Sequence, residues 1–124
     1  MRNKKGFTLS ELLIVVAIIG VLVAISIPIF TSQLHKAEVA TDWANLRGFY
    51  AQLQADYMGT EKENEDIKDY ENSKIEHRSF KDLQGNTIHL KAGYFIMTFD
   101  TENGYSIAYQ CDKLHKECMI VIGA

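Results

Sequence analysis

Two cysteines in 124 residues are too few for a disulfide scaffold or a four-cysteine zinc site. Positive charge is also short. Thirteen Lys and Arg stand against 16 Asp and Glu, giving a net charge of −3 and an isoelectric point near 5.8. That balance argues against a general nucleic-acid binder. At 14.1 kDa the chain holds one small domain, which excludes a multidomain enzyme, and no catalytic constellation of nucleophile, base and oxyanion donors is evident. The most informative absence is local. Residues 12–30, LLIVVAIIGVLVAISIPIF, carry no charged side chain, so much of the 47% apolar content is drawn into one segment. The remainder is polar enough to fold in water but too short to bury a large core.

The apolar run follows Arg2, Lys4 and Lys5. A cleaved secretory signal has an apolar core of about 7–15 residues and then a small-x-small site. Here the run is longer, and Ile27-Pro28-Ile29-Phe30 offers no such site. As a helix rising ~1.5 Å per residue it reaches ~28 Å, enough for a hydrocarbon core. Positive charge ahead of it keeps the start cytoplasmic and puts the C-terminal part outside. Glu11 breaks this plain anchor pattern, because a carboxylate in an apolar stretch is expensive and marks a partner. Thr8-x-x-Glu11 also matches a capping box, which needs no partner.

The string Lys4-Lys5-Gly6-Phe7-Thr8-Leu9-Ser10-Glu11-Leu12 resembles the class III signal of type IV prepilins and pseudopilins, and the resemblance extends from residue 1 to about residue 37. It implies a leader of residues 1–6, cleavage by prepilin peptidase between Gly6 and Phe7, and N-methylation of Phe7. Residues 7–30 become the membrane and assembly helix, and residues 31–124 the head, which includes the second half of that helix. Losing the leader leaves ten Lys and Arg against 16 acids, a formal −6. The new amine on Phe7 stays cationic near neutral pH and can pair with Glu11 of a neighbouring subunit, fixing axial register. The adjoining Gly6-Phe7 site favours pairing over capping alone. Gly20 and Pro28 weaken the helix, and the resemblance implies that residues 20–28 unwind in the assembled filament.

Beyond the anchor, Val39, Trp43, Leu46, Tyr50, Leu53 and Tyr57 recur at helical spacing. His35, Lys36, Glu38, Asp42, Arg47, Gln52 and Asp56 fall mostly on the polar face. Gly59 is the expected C-cap, giving about 78 Å of helix. Residues 59–74 read as a solvated acidic loop; Asp66, Asp69 and Glu71 are a minor calcium possibility without EF-hand spacing. A small antiparallel sheet follows. A turn at Gln84-Gly85-Asn86 precedes an alternating strand at 87–91, a hairpin with its turn at Asn103-Gly104 joins 94–99 to 105–110, and a last buried strand runs from 119 to 122. The expected fold is therefore α+β, a long N-terminal helix packed on a C-terminal antiparallel sheet.

Cys111 and Cys118 bracket six residues. Outside the cytoplasm a disulfide is the preferred reading, as in the similar loops of many type IV pilins. Cys111, His115 and Cys118, with His77 or His89 as a fourth, form an incomplete metal pattern, and the expectation is no metal and no cofactor. The resemblance implies a non-enzymatic structural subunit of a type IV pilus-like filament; the alternative is a pseudopilin of a type II secretion or competence DNA-uptake machine. Implied partners are identical and related pilin subunits, prepilin peptidase, the cytoplasmic membrane before assembly and, indirectly, the assembly platform and its ATPase. After assembly the head would face outward on the cell surface and carry any adhesion. Basic clusters at Lys74, His77, Arg78 and Lys81, and at Lys113, His115 and Lys116, leave nucleic acid as a lesser possibility. A single-pass membrane enzyme is the remaining reading, and no residue pattern supports it.

Overall fold

A computed structural model describes residues 6, 8–71 and 75–123. The first element, α1, is Leu9–Thr60, with Pro28 inside it. Its carbonyl–amide ladder tolerates the proline at the loss of one bond, since Pro28 has no N–H to offer the carbonyl of Ala24. Hydroxyls on either side of this break bond back to the helix: Ser26 Oγ donates to Leu22 O at 2.7 Å and Thr31 Oγ1 to Ile27 O at 3.0 Å. The chain divides into two compact units between His35 and Lys36, inside α1.

In the first unit, every large apolar side chain from Leu12 to Phe30 is at least 45% exposed. The helix is long and apolar enough to cross a membrane, and none of its apolar window is buried.

The second unit has a core of its own. Val39, Asp42, Leu46, Phe49 and Leu53 are the buried residues of α1, spaced three and four apart on one stripe. Trp43, Tyr50 and Tyr57 flank the stripe, half-buried. The centre of the face thus lies on Asp42 and Phe49 rather than on the expected aromatics. The helix also passes through Gly59 and stops at Thr60. There Glu61 takes φ +56° and its N–H reaches Tyr57 O at 2.7 Å, so Glu61 closes the helix in place of the expected glycine.

Residues 65–70 form a 3₁₀ helix, Glu65–Tyr70, where a plain loop is expected; Asn64 caps it by accepting from the Asp66 N–H, and Ile67 is buried. Two antiparallel sheets follow. β1 (Ser79–Lys81) pairs with β2 (Thr87–His89), and β3 (Gly93–Asp100), β4 (Gly104–Cys111) and β5 (Ile120–Ile122) lie in that order. In the β1–β2 turn, Asp82 Oδ1 accepts from the N–H groups of Gln84 and Asn86. The β3–β4 hairpin turns where expected: Gly104 has φ +82°, and the Asp100 carboxylate accepts from Glu102 N–H and Asn103 Nδ2. Gly93 answers a different need, since a Cβ there would run into the Gln110 carbonyl.

The pleat sorts the hairpin into two faces. Phe95 opposite Tyr109 and Met97 opposite Ile107 are buried, while Thr98 opposite Ser106 points away. Phe49 stacks on Phe80 with ring centroids 4.3 Å apart and meets Phe95 edge-on at 6.5 Å, so one aromatic side chain of α1 joins both sheets. The last strand is less buried than expected. Ile120 and Ile122 face the core partly covered, Val121 is 62% exposed opposite Ala108, and Met119 lies before the strand in solvent.

Candidate assembly site

The N-terminus of α1 is closed by the capping box that Thr8 and Glu11 spell. Thr8 N–H donates to Glu11 Oε2 at 3.0 Å, and Glu11 N–H donates to Thr8 Oγ1 at 3.2 Å. This reciprocal pair satisfies two of the amides that a helix start leaves open. It also fixes the Glu11 carboxylate at the first turn, at the head of the exposed apolar helix. Capping and pairing need not compete: one carboxylate carries about four lone-pair sites, and the capping bond uses one of them. Gly6 is described and exposed, with nothing close to where a Cβ would stand. Phe7, the expected position of cleavage, methylation and amine pairing, lies outside the described residues. In the single chain Gly20 and Pro28 are both within the continuous helix.

Cys111 and Cys118 form a disulfide with Cα atoms 5.6 Å apart, both buried. It closes the segment between β4 and β5, where residues 116–118 make a 3₁₀ turn. Trp43 donates its indole N–H to Cys118 O at 3.0 Å.

The most buried polar group of the described residues went unread in the sequence. Asp42 is fully buried on α1. Its Oδ1 accepts from Lys91 N–H at 2.8 Å, and its Oδ2 accepts from Ala92 N–H at 2.9 Å and from Tyr109 Oη at 2.7 Å. Three donors offset the loss of water around the carboxylate and pin the β2–β3 connection to the helix. Burial, and then the bond to Asp42, push the Tyr109 phenol far above its ordinary range. An aspartate on an otherwise polar-looking turn gives no sequence signal for this role; only its three- and four-residue spacing from Val39 and Leu46 hints at it.

The acidic segment is also more structured than its composition suggests. Glu71 is half-buried, and burial, followed by a hydrogen bond with Glu63, raises its carboxyl to about 8. Asp66 and Asp69 are exposed, and among the described residues they do not converge with Glu71 on one point. The first basic cluster is broken up. Arg78 pairs with Asp112 at 2.7 Å and lies over the Tyr94 ring, burial lowers the His77 pKa, and Lys74 lies outside the described residues. Lys113, His115 and Lys116 remain at the surface.

Comparison with known proteins falls on the same N-terminal segment. Residues 1–27 match the family model described as the prokaryotic N-terminal methylation motif. A type IV narrow pilus major component of Thermus thermophilus is 52% identical over 50 residues, 38% of this chain and 43% of that protein. A fimbrial protein of Pseudomonas aeruginosa is 54% identical over 39 residues, 32% of this chain and 25% of its own. A fimbrial protein of Eikenella corrodens is 51% identical over 39 residues, 32% of this chain and 24% of its own. The chain thus spans well under half the length of the curated relatives it matches. No solved structure matches it. The methylation motif and the fimbrial relatives both align on the helix whose apolar surface stands uncovered, so the likeness of this chain to type IV pilins is carried by its N-terminal segment.

Proposed function

We propose that the chain is a structural subunit of a type IV pilus-like filament, assembled through α1 after removal of residues 1–6. The observation that carries this reading is the pairing of a wholly uncovered apolar helix with one fixed carboxylate at its head. In water, covering a Leu, Ile or Val side chain yields about 1.5–3 kcal/mol, so residues 12–30 require an apolar partner. Lipid satisfies them, but between helices already in lipid the hydrophobic effect gives no preference for association. Selection must then come from packing and from polar groups. Glu11 supplies the polar term: in an apolar bundle an unpaired carboxylate is penalised, and a cationic amine on Phe7 of the adjoining subunit removes the penalty at one register only. Cleavage after Gly6 creates that amine and removes Arg2, Lys4 and Lys5, which otherwise hold the helix to the cytoplasmic face.

On this reading prepilin peptidase, the cytoplasmic membrane and the assembly machinery are partners in sequence. The head, residues 31–124, forms the outer surface, and the subunit performs no reaction. Unwinding of residues 20–28 on assembly fits the missing N–H of Pro28 and belongs to the same proposal. The test is the intact mass of the unreduced protein from shear-released surface material and from membranes of its host. A methylated chain beginning at Phe7 and two hydrogens lighter, abundant in the sheared fraction, is expected. The same mass confined to membranes would shift the assignment to a pseudopilin, and retention of residues 1–6 in both fractions would overturn the processing on which the proposal rests.

A further inference from the structure

The loop that joins β4 to β5 gathers three metal-ligating side chains from one short stretch of chain. The ligand atoms of Cys111, His115 and Cys118 lie within 4.8 Å of one another. In a tetrahedral zinc site, bonds of about 2.3 Å to sulfur and 2.0–2.1 Å to nitrogen put neighbouring ligands about 3.5–3.8 Å apart. The spacing of the three atoms is therefore close to what such an ion requires, once the two sulfurs are no longer bonded to each other.

We propose that the Cys111–Cys118 pair is a two-state centre: a disulfide when oxidised and, when reduced, a site for a single zinc ion held by both thiolates and the His115 imidazole. Opening it takes a dithiol as reductant. Two electrons pass to the S–S bond, the dithiol becomes a cyclic disulfide, and Cys111 and Cys118 become thiols. Zinc binding then displaces two protons to solvent, one from each sulfur. Two thiolates neutralise the ion's charge, and the His115 imidazole adds a nitrogen of the kind zinc accepts beside sulfur.

The loop is held in place by bonds that do not depend on the disulfide, so scission leaves the ligands near one another. Leu114 N–H donates to Cys111 O at 3.0 Å and Cys118 N–H to His115 O at 3.1 Å. Gln110 Nε2 donates to His115 O at 3.2 Å. Asp112 N–H reaches Ala92 O at 2.8 Å, which ties the start of the loop to the β2–β3 connection. Both cysteines are buried while His115 is exposed, so the sulfurs are shielded and the ion enters from the histidine side. Soft thiolates with one imidazole select zinc over calcium or magnesium.

The full chain in detergent micelles, reduced with a dithiol and then separated from it without air, is titrated with Co²⁺ and afterwards with Zn²⁺. The expected result is one equivalent of cobalt bound with a thiolate-to-metal charge-transfer band in the near ultraviolet, displaced by zinc. The oxidised chain should give no band. His115→Ala, which retains both cysteines and can still be prepared in the disulfide form, should weaken binding at least about tenfold. Absence of the band in the reduced wild-type chain would overturn the proposal. So would equal affinity in His115→Ala, which would reduce the centre to two thiols binding metal adventitiously.

Discussion

Glu11 occupies a position where two demands fall on one carboxylate. Within the chain it accepts the Thr8 N–H and completes the capping box; in the proposed filament it also neutralises an amine. Glutamine separates the two, because its carbonyl still accepts from an amide while it carries no charge. In Glu11→Gln, circular dichroism of the micellar chain should match the wild type, whereas sheared filament yield should fall to background; wild-type filament yield would make capping the whole role of this residue. Asp42 offers a prediction at the same scale. An asparagine there can accept from one side only and turns its own donors on the Lys91 or Ala92 N–H. One stranded donor and the loss of charge-assisted bonds should cost about 2–3 kcal/mol. The shift should appear in the urea midpoint with an unchanged slope, and a midpoint equal to wild type would mean that the three donors find other acceptors.

At the scale of elements, the 3₁₀ helix Glu65–Tyr70 is held to the head from above and below. Tyr70 meets Phe49 edge-on at 6.4 Å and His77 at 5.1 Å, and the Asn64 N–H donates to Tyr105 Oη at 2.8 Å. Beside it the Glu63–Glu71 contact requires a proton. Glu71 titrates near 8 in the folded chain against 4.5 when exposed, so between those values the folded state binds a proton that the unfolded chain has released. The stability that follows from burying Glu71 and bonding it to Glu63 in its protonated form is complete below about pH 4.5 and is lost as pH rises through about 8. Solvent screening at a half-exposed group keeps the effect small. The melting temperature of the full chain should therefore decline from pH 5 to pH 8, and Glu71→Gln should flatten that decline. An equal slope in the variant would assign the pH dependence to other groups.

This element also marks where the sequence stops being legible. The long helix, the hairpin at Asn103-Gly104 and the cysteine loop all announce themselves by local chemistry: period, turn residues and spacing. The acidic segment hides Ile67 and Tyr70 among charged side chains that, Glu63 and Glu71 apart, stay in solvent, so composition argues for a loop while two residues fold it onto the core. β1 is three residues long, too short for alternation to register. Asp42 and Phe49 define the true centre of the helix face, but the centre is fixed by bonds to residues 91, 92 and 109, which no local pattern reveals. Thr8 and Glu11 were readable because a capping box is local, whereas the proposed pairing of Glu11 with another subunit is not a property of one chain.

For the whole molecule, the two units divide the physical tasks. Residues 12–30 have no core of their own and need an apolar environment, whereas residues from Lys36 onward bury Leu46, Leu53, Phe95, Met97 and Ile107 completely. A chain beginning at Lys36 should be soluble without detergent, elute as a monomer and unfold cooperatively in urea, while the full chain should require micelles. Detergent dependence of the shortened chain would mean that the head uses the apolar helix as part of its fold.

Trp43 is the single tryptophan in the sequence, and its indole N–H is bonded to the carbonyl of Cys118. Disulfides quench indole emission on contact and thiols do so less, so the protein carries an optical gauge of its own cysteine chemistry, wired by one hydrogen bond. No dye or label is required to follow that chemistry: a rise in Trp43 emission when the micellar chain is reduced is the expected sign of an open loop, and unchanged emission would mean that the indole does not sense the sulfurs.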